Sequence, residues 1–246
     1  MKMQDVTAVS VSQLWANVEP KVQQAERLEE AAQELVAGLY HQFHESVVIA
    51  RVFVTVALGD LPASNQGFVE NLAKSAGAVT GLKSATPVLS LVGTYGQEAN
   101  WQDRLRSQGH VGIPLISSAF VGAIPMIARL FKELGVPMDW IDSHDAETMV
   151  QTIGDKAGLF FVEDAASATD QEGRKIIAAQ DFVSDHNVKS VFGVGGAYPN
   201  GQMVALIVFC RDTFARSVAE QFLPLADLFK SGTQAFLETG QVIADS

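Results

Sequence analysis

The most constraining stretch of this sequence is 188–211. An apolar run at 188–194 enters a turn, and a second at 203–210 leaves it. Pro199 fixes φ at a turn position, and Asn200-Gly201 tolerates positive φ. Two β-rich runs joined in this way predict a hairpin. The second run is apolar at Met203, Ala205, Ile207 and Phe209 and also at Val204, Leu206, Val208 and Cys210. Both its faces are therefore expected to be buried, as in a central strand. Such a strand needs neighbours alongside and a cover over each face.

The chain supplies both. Residues 47–58 form a second long apolar run, and 86–95, 111–115 and 158–163 read as further strands. Helical spacing runs through Val11, Leu14, Val18, Ala25, Leu28, Ala32, Leu35 and Leu39, with a break or kink expected at Pro20. A short helix is expected over 66–76. Ser117 or Ser118 is placed to cap a helix carrying Phe120, Ile124, Ile127, Phe131 and Leu134, kinked at Pro125 and stopped by Gly135. Ser143 is expected to cap a helix reaching about 153, Asp170 one ending at Asn187, and Asp212 the last, where Pro224 suggests two helices meeting end to end. The chain then ends on Phe222, Leu225, Phe229 and Phe236 at near-heptad spacing.

No repeat or linker divides 1–246, so a single α+β domain is expected: an N-terminal helical segment at 1–44, a lid or insertion at 96–154, and a C-terminal helix at 212–238. The formal net charge of −11, with Lys and Arg scattered singly, argues against nucleic acid and anionic membranes as partners. No run is long enough to span a bilayer, and 1–22 lacks the apolar core of a signal peptide, so a cytoplasmic protein is expected. One cysteine excludes an intrachain disulfide and a Cys-based zinc site.

The pattern Val188-Lys189-Ser190-Val191-Phe192-Gly193-Val194, then Asn200-Gly201, an apolar strand and a terminal amphipathic helix, resembles the last third of a GAF domain. The resemblance implies a sensory α+β module with a central antiparallel sheet of five or six strands flanked by helices. It further implies a small-molecule pocket between sheet and lid, homodimers through the terminal helices, and signalling to an output domain. With no output domain in the sequence, action on a partner protein or on the chain's own assembly is expected. The segment 96–154 is longer than a plain GAF core, and Gly195-Gly196 suggests a bulge.

Candidate chemistry is sparse. Gly193-Val194-Gly195-Gly196 lacks a third glycine at 198, where Tyr198 stands, and reads as a glycine-bearing turn. Cys210 sits in an apolar strand, as inert cysteines do, and the GAF-type enzymes that reduce methionine sulfoxide use several cysteines. His41 with His44, and Asp139, Asp142, His144 and Asp145, form loose clusters without a metal-ligand spacing; His110 and His186 are the histidines an axial haem ligand would draw on. Glu163 and Asp164 read as solvated carboxylates, and no nucleophile elbow or His-Glu-x-x-His appears. The polar segment 101–110 stands out, with Trp101, Arg104, Arg106 and His110 in an acidic chain. Such a set suits an anionic or planar ligand.

The reading is a non-catalytic sensory module whose ligand site comprises Trp101, Arg104, Arg106 and His110 over a floor of Phe209 and Cys210. No cofactor or metal is assigned. Homodimerisation is expected through the stripes Leu28, Leu35, Leu39 and Phe222, Leu225, Phe229. An enzyme on the same fold and a purely structural dimer are the alternatives.

Overall fold

The computed structural model describes residues 1–107, 109–143 and 157–244. Its strands are β1 (Val47–Ala57), β2 (Pro87–Gly96), β3 (Gly112–Pro114), β4 (Gly158–Val162), β5 (Ser190–Ala197) and β6 (Met203–Cys210). They form one sheet in the order β3-β2-β1-β6-β5-β4, every neighbouring pair antiparallel. The hairpin at 188–211 is β5 and β6, and β6 lies between β5 and β1 as a central strand. The α+β class, the antiparallel sheet and the long helices at both ends agree with the GAF-like pattern.

The hairpin turn works as its residues dictate. Gly201 donates its amide to Tyr198 O at 2.9 Å, so Pro199 occupies the second position of a β-turn and Gly201 the fourth. Gly201 takes φ 83°. Asn200 Oδ1 accepts the Gln202 amide at 3.1 Å, an Asx contact that holds the loop. The expected bulge at Gly195-Gly196 is absent: pairing with β4 and β6 runs through without a shift. Gly195 answers a close approach instead, because a Cβ there would lie 2.1 Å from Val204 O. The register shifts fall in β1, between Val52 and Phe53 and between Val47 and Ile49.

Each sheet face carries its own core. On the first face, α1 (Ala8–Gln24), α2 (Leu28–Phe43) and a C-terminal helix, Leu223–Glu238, make a helical layer over Val52, Val54, Phe192, Leu206 and Val208. On the second face, Phe131, Leu134, Trp140, Ile176 and Val183 cover Ile49, Phe53, Phe160, Ile207 and Met203. The helices there are α4 (Ser118–Gly122), α5 (Pro125–Leu134), α6 (Met138–Ser143) and α7 (Gln180–Asp185); α3 (Ala63–Ser75) packs beside β3, and α8 (Arg216–Glu220) against β4. The C-terminal helix Leu223–Glu238 is α9.

Several helix boundaries differ from expectation for identifiable reasons. Pro20 lies within a continuous α1, and the chain breaks at 25–27, where Ala25 and Arg27 are extended. Pro125 separates α4 from α5 and occupies the first turn of α5, where its missing N–H costs nothing. Ser117 caps α4 through a bond from the Phe120 amide, and Gly135 ends α5 in the left-handed conformation. Asp170 caps no helix: it accepts the Glu172 and Arg174 amides and the Arg174 side chain, closing a tight loop, and the helix starts only at Gln180. Asp212 accepts from Ser46 Oγ, which itself accepts the Met3 amide at 2.8 Å, so it ties the N-terminus to the end of β6 rather than opening a helix at Thr213. The helix expected beyond Ser143 lies outside the described residues.

Candidate functional site: a cavity with a half-buried guanidinium

The second sheet face is incompletely filled. Between β1, β6, the first turn of α5, residues 176–179 and α7 lies a cavity of about 280 Å³. β1 presents Ile49, Arg51 and Phe53 to it, and β6 presents Ile207 and Phe209. Alternation along each strand determines these sets, and the in-register pair Arg51–Ile207 sits at the floor. Trp101 and His110 close one side, and Ile124 to Ile127 another. Among the described lining residues only Arg51 and His110 carry ionisable side chains.

Arg51 is the exceptional member. It is the one charged residue in an eleven-residue strand, Val47–Ala57. Its Nη2 donates to Ser107 Oγ at 3.1 Å, while its Nε is shielded from solvent and has no partner. Burial lowers its pKa to about 10, since desolvation disfavours the charged form. Directly across the ladder, Thr94 Oγ1 is also buried and unpartnered. His110 stands at the mouth with much of its surface exposed. Its pKa is lowered, first by partial desolvation and then by the charge of Arg51.

The aromatic wall is held from behind. Trp101 meets Phe182 edge-on at 5.7 Å and His186 at 4.7 Å, and Phe182 meets Phe209 at 5.4 Å. Arg211 Nη2 donates to Gln97 Oε1 at 2.7 Å. A guanidinium can only donate, so the other end of the Gln97 amide is the NH₂. That NH₂ donates to His186 Nδ1 at 2.8 Å, which leaves the proton of the neutral imidazole on Nε2.

Of the expected ligand residues, Trp101, His110 and Phe209 line this cavity. The other three lie elsewhere. Arg104 crosses to the helical layer and pairs with Glu29 of α2, both nearly buried. Arg106 is 70% exposed and lies 3.9 Å from Asp103. Cys210 is fully buried and, by strand alternation, faces the opposite core; burial raises its thiol pKa, so it stays protonated. Phe131 packs into the core, while Phe120 and Ile124 are partly buried at its edge.

No family model matches the chain, and no curated protein matches it. Solved structures similar to it include the phycoerythrobilin-bound GAF domain from a cyanobacterial phytochrome, at 12% identity and a TM-score of 0.49, covering 93% of this chain and 97% of that one. The phycocyanobilin-bound GAF domain from a cyanobacterial phytochrome follows at 11% and 0.49, covering 93% and 96%. The chromophore-binding domain of Stigmatella aurantiaca bacteriophytochrome (Thr289His mutant, Pr state) stands at 10% and 0.45, covering 95% and 62%. Those names describe those proteins alone.

Three wider grooves cross the described surface, by Asp60 and Gln202, by α2 and Arg104, and by Arg129 and Asp170. None is lined by a buried charged atom without a partner, among the described residues. No described group of His, Cys, Asp and Glu could hold a metal ion. His44 bonds the His41 carbonyl, His41 stacks near Tyr95, and Asp142 accepts the Ser118 amide. His144 and Asp145 lie outside the described residues. No described helix is long and apolar enough to cross a membrane.

Proposed function

We propose that the protein is a sensory or regulatory module that takes a small molecule into the cavity between the sheet and α5, and passes the signal to a partner protein or a second copy of itself. The observation that carries this reading is an apolar cavity lined by a guanidinium, Arg51, that has no described counter-ion and whose Nε has no partner. A filled core would not keep such a group. The volume, about 280 Å³, lies just below the usual range for small-molecule pockets and so calls for a small ligand. The lining favours binding over turnover: its described residues include no Ser, Cys, Lys, Asp or Glu, so His110, the one group able to act as a general base, has no nucleophile among them to activate.

A thermal-shift screen of small apolar and amphipathic molecules, followed by native mass spectrometry of the hits, tests the proposal. The expected result is a raised Tm for a subset of compounds, lost in Ala179→Trp, which fills the cavity rim. Hits that bind Ala179→Trp unchanged would place the ligand elsewhere and end this reading.

A further inference from the structure

Arg51 is the one guanidinium in the described lining of the cavity, and no described carboxylate lies beside it. The chain holds 28 acidic residues. Arg104, Arg106, Arg129, Arg174 and Arg216 each lie within 4.0 Å of a carboxylate. Arg27, Arg51 and Arg211 have none among the described residues; Arg211 Nη2 donates to Gln97 instead, and of the three Arg51 is the one that lines the cavity. A charge taken out of water without a counter-ion destabilises a fold. Among the described residues the partner position of Arg51 is open.

From this we infer that the cavity's occupant is a monocarboxylate with a short apolar tail, its carboxylate on the Arg51 guanidinium beside Ser107 and its tail among Ile49, Phe53, Phe182 and Phe209. The inference rests on the cavity being the ligand site. The guanidinium fork matches a planar carboxylate; Arg51 lines the cavity, its Nη2 makes a single bond, to Ser107, and its Nε has no partner. The charge to be matched is one. His110 is the remaining ionisable lining group, and its lowered pKa keeps it neutral at pH 7. A phosphate monoester or dicarboxylate would bring a second charge with no cation to meet it. The first turn of α5, which lines the cavity without a side-chain cap, adds partial positive charge of the same sign. The rest of the lining is apolar and aromatic, which calls for a hydrocarbon tail.

The test is a calorimetric titration of the intact protein with phenylacetate, a straight-chain series from butanoate to octanoate, the matching amides, and phenyl phosphate. The best acid should bind about tenfold or more tightly than its amide, as a charged hydrogen-bonded pair requires. Arg51→Met should abolish that preference, bringing acid and amide to equal affinity. It should also raise the Tm of the ligand-free protein, because it removes a half-buried charge without a described counter-ion. Should that variant not fold, the imidazole proton of His110 gives a second readout by NMR. Acid binding offsets the Arg51 charge and raises the His110 pKa, and amide binding leaves it unchanged. Equal binding of acid and amide by the wild type would overturn the carboxylate and keep the cavity, as would preference for phenyl phosphate. Failure of every compound to bind would overturn the cavity reading with it.

Discussion

A single side chain, Arg51, separates the cavity from an ordinary gap in packing, and it was legible in the sequence as the lone charge interrupting Val47–Ala57. The residues that drew attention instead, Arg104 and Arg106, clustered in sequence but not in space. Arg104 finds Glu29, 75 positions away, and no local pattern announces such a pair. His110 makes a prediction at this scale. Desolvation and the Arg51 charge both disfavour its imidazolium in the folded protein. The unfolded chain, with the ordinary imidazole pKa of 6.5, takes up the proton first. This contribution to stability is therefore level above pH 6.5 and is lost as the pH falls below it, until the folded imidazole protonates too. His110→Asn should lose less stability than wild type between about pH 7.5 and pH 5.5, by urea denaturation at each pH. Parallel pH profiles for the two proteins would show that His110 is not held neutral.

At the scale of elements, the sequence spoke clearly where a structure is local and poorly where a distant group competes. The hairpin turn was readable because Pro199, Asn200 and Gly201 act on their own backbone. Asp170 and Asp212 were poor guides because loop amides and Ser46 claimed carboxylates that could have capped helices. The same limit hid the tie between the hairpin and α9. Tyr198 is almost fully buried, and its hydroxyl meets Thr233 Oγ1 at 2.8 Å. Thr233 Oγ1 already donates to Phe229 O at 2.7 Å, so the Tyr198 hydroxyl is the donor of the pair. The two obvious substitutions are consequently unequal. Tyr198→Phe removes a donor and leaves Thr233 bonded to its helix, costing about 1 kcal/mol. Thr233→Val keeps the shape but strands the tyrosine hydroxyl in the core, costing about 1–3 kcal/mol. Chemical denaturation of both variants checks the order, and a Thr233→Val protein more stable than Tyr198→Phe would reverse the donor assignment.

For the molecule as a whole, the question is whether the terminal helices face inward or outward. Near-heptad spacing alone suits either, because a helix covering a sheet and a helix meeting a second copy both need one apolar stripe. The structure assigns the stripes to the chain's own sheet: Leu28, Leu35, Leu39, Phe222, Leu225 and Phe229 all lie within the first core at 2% exposure or less. Self-association through these helices must then use their outer surface, where Leu228 is 39% exposed and Val9 77%. Leu225→Asp and Leu228→Asp, three positions apart on α9, therefore separate the two roles. The first places a carboxylate in the core without a partner and should cost about 3–5 kcal/mol, removing cooperative unfolding or lowering Tm sharply. The second should change stability by about 0.5 kcal/mol or less and act only on assembly. Circular dichroism melts paired with sedimentation velocity distinguish them. A Leu225→Asp protein that melts like wild type but sediments as a smaller species would show that the stripe is an interface between copies rather than the lining of this core.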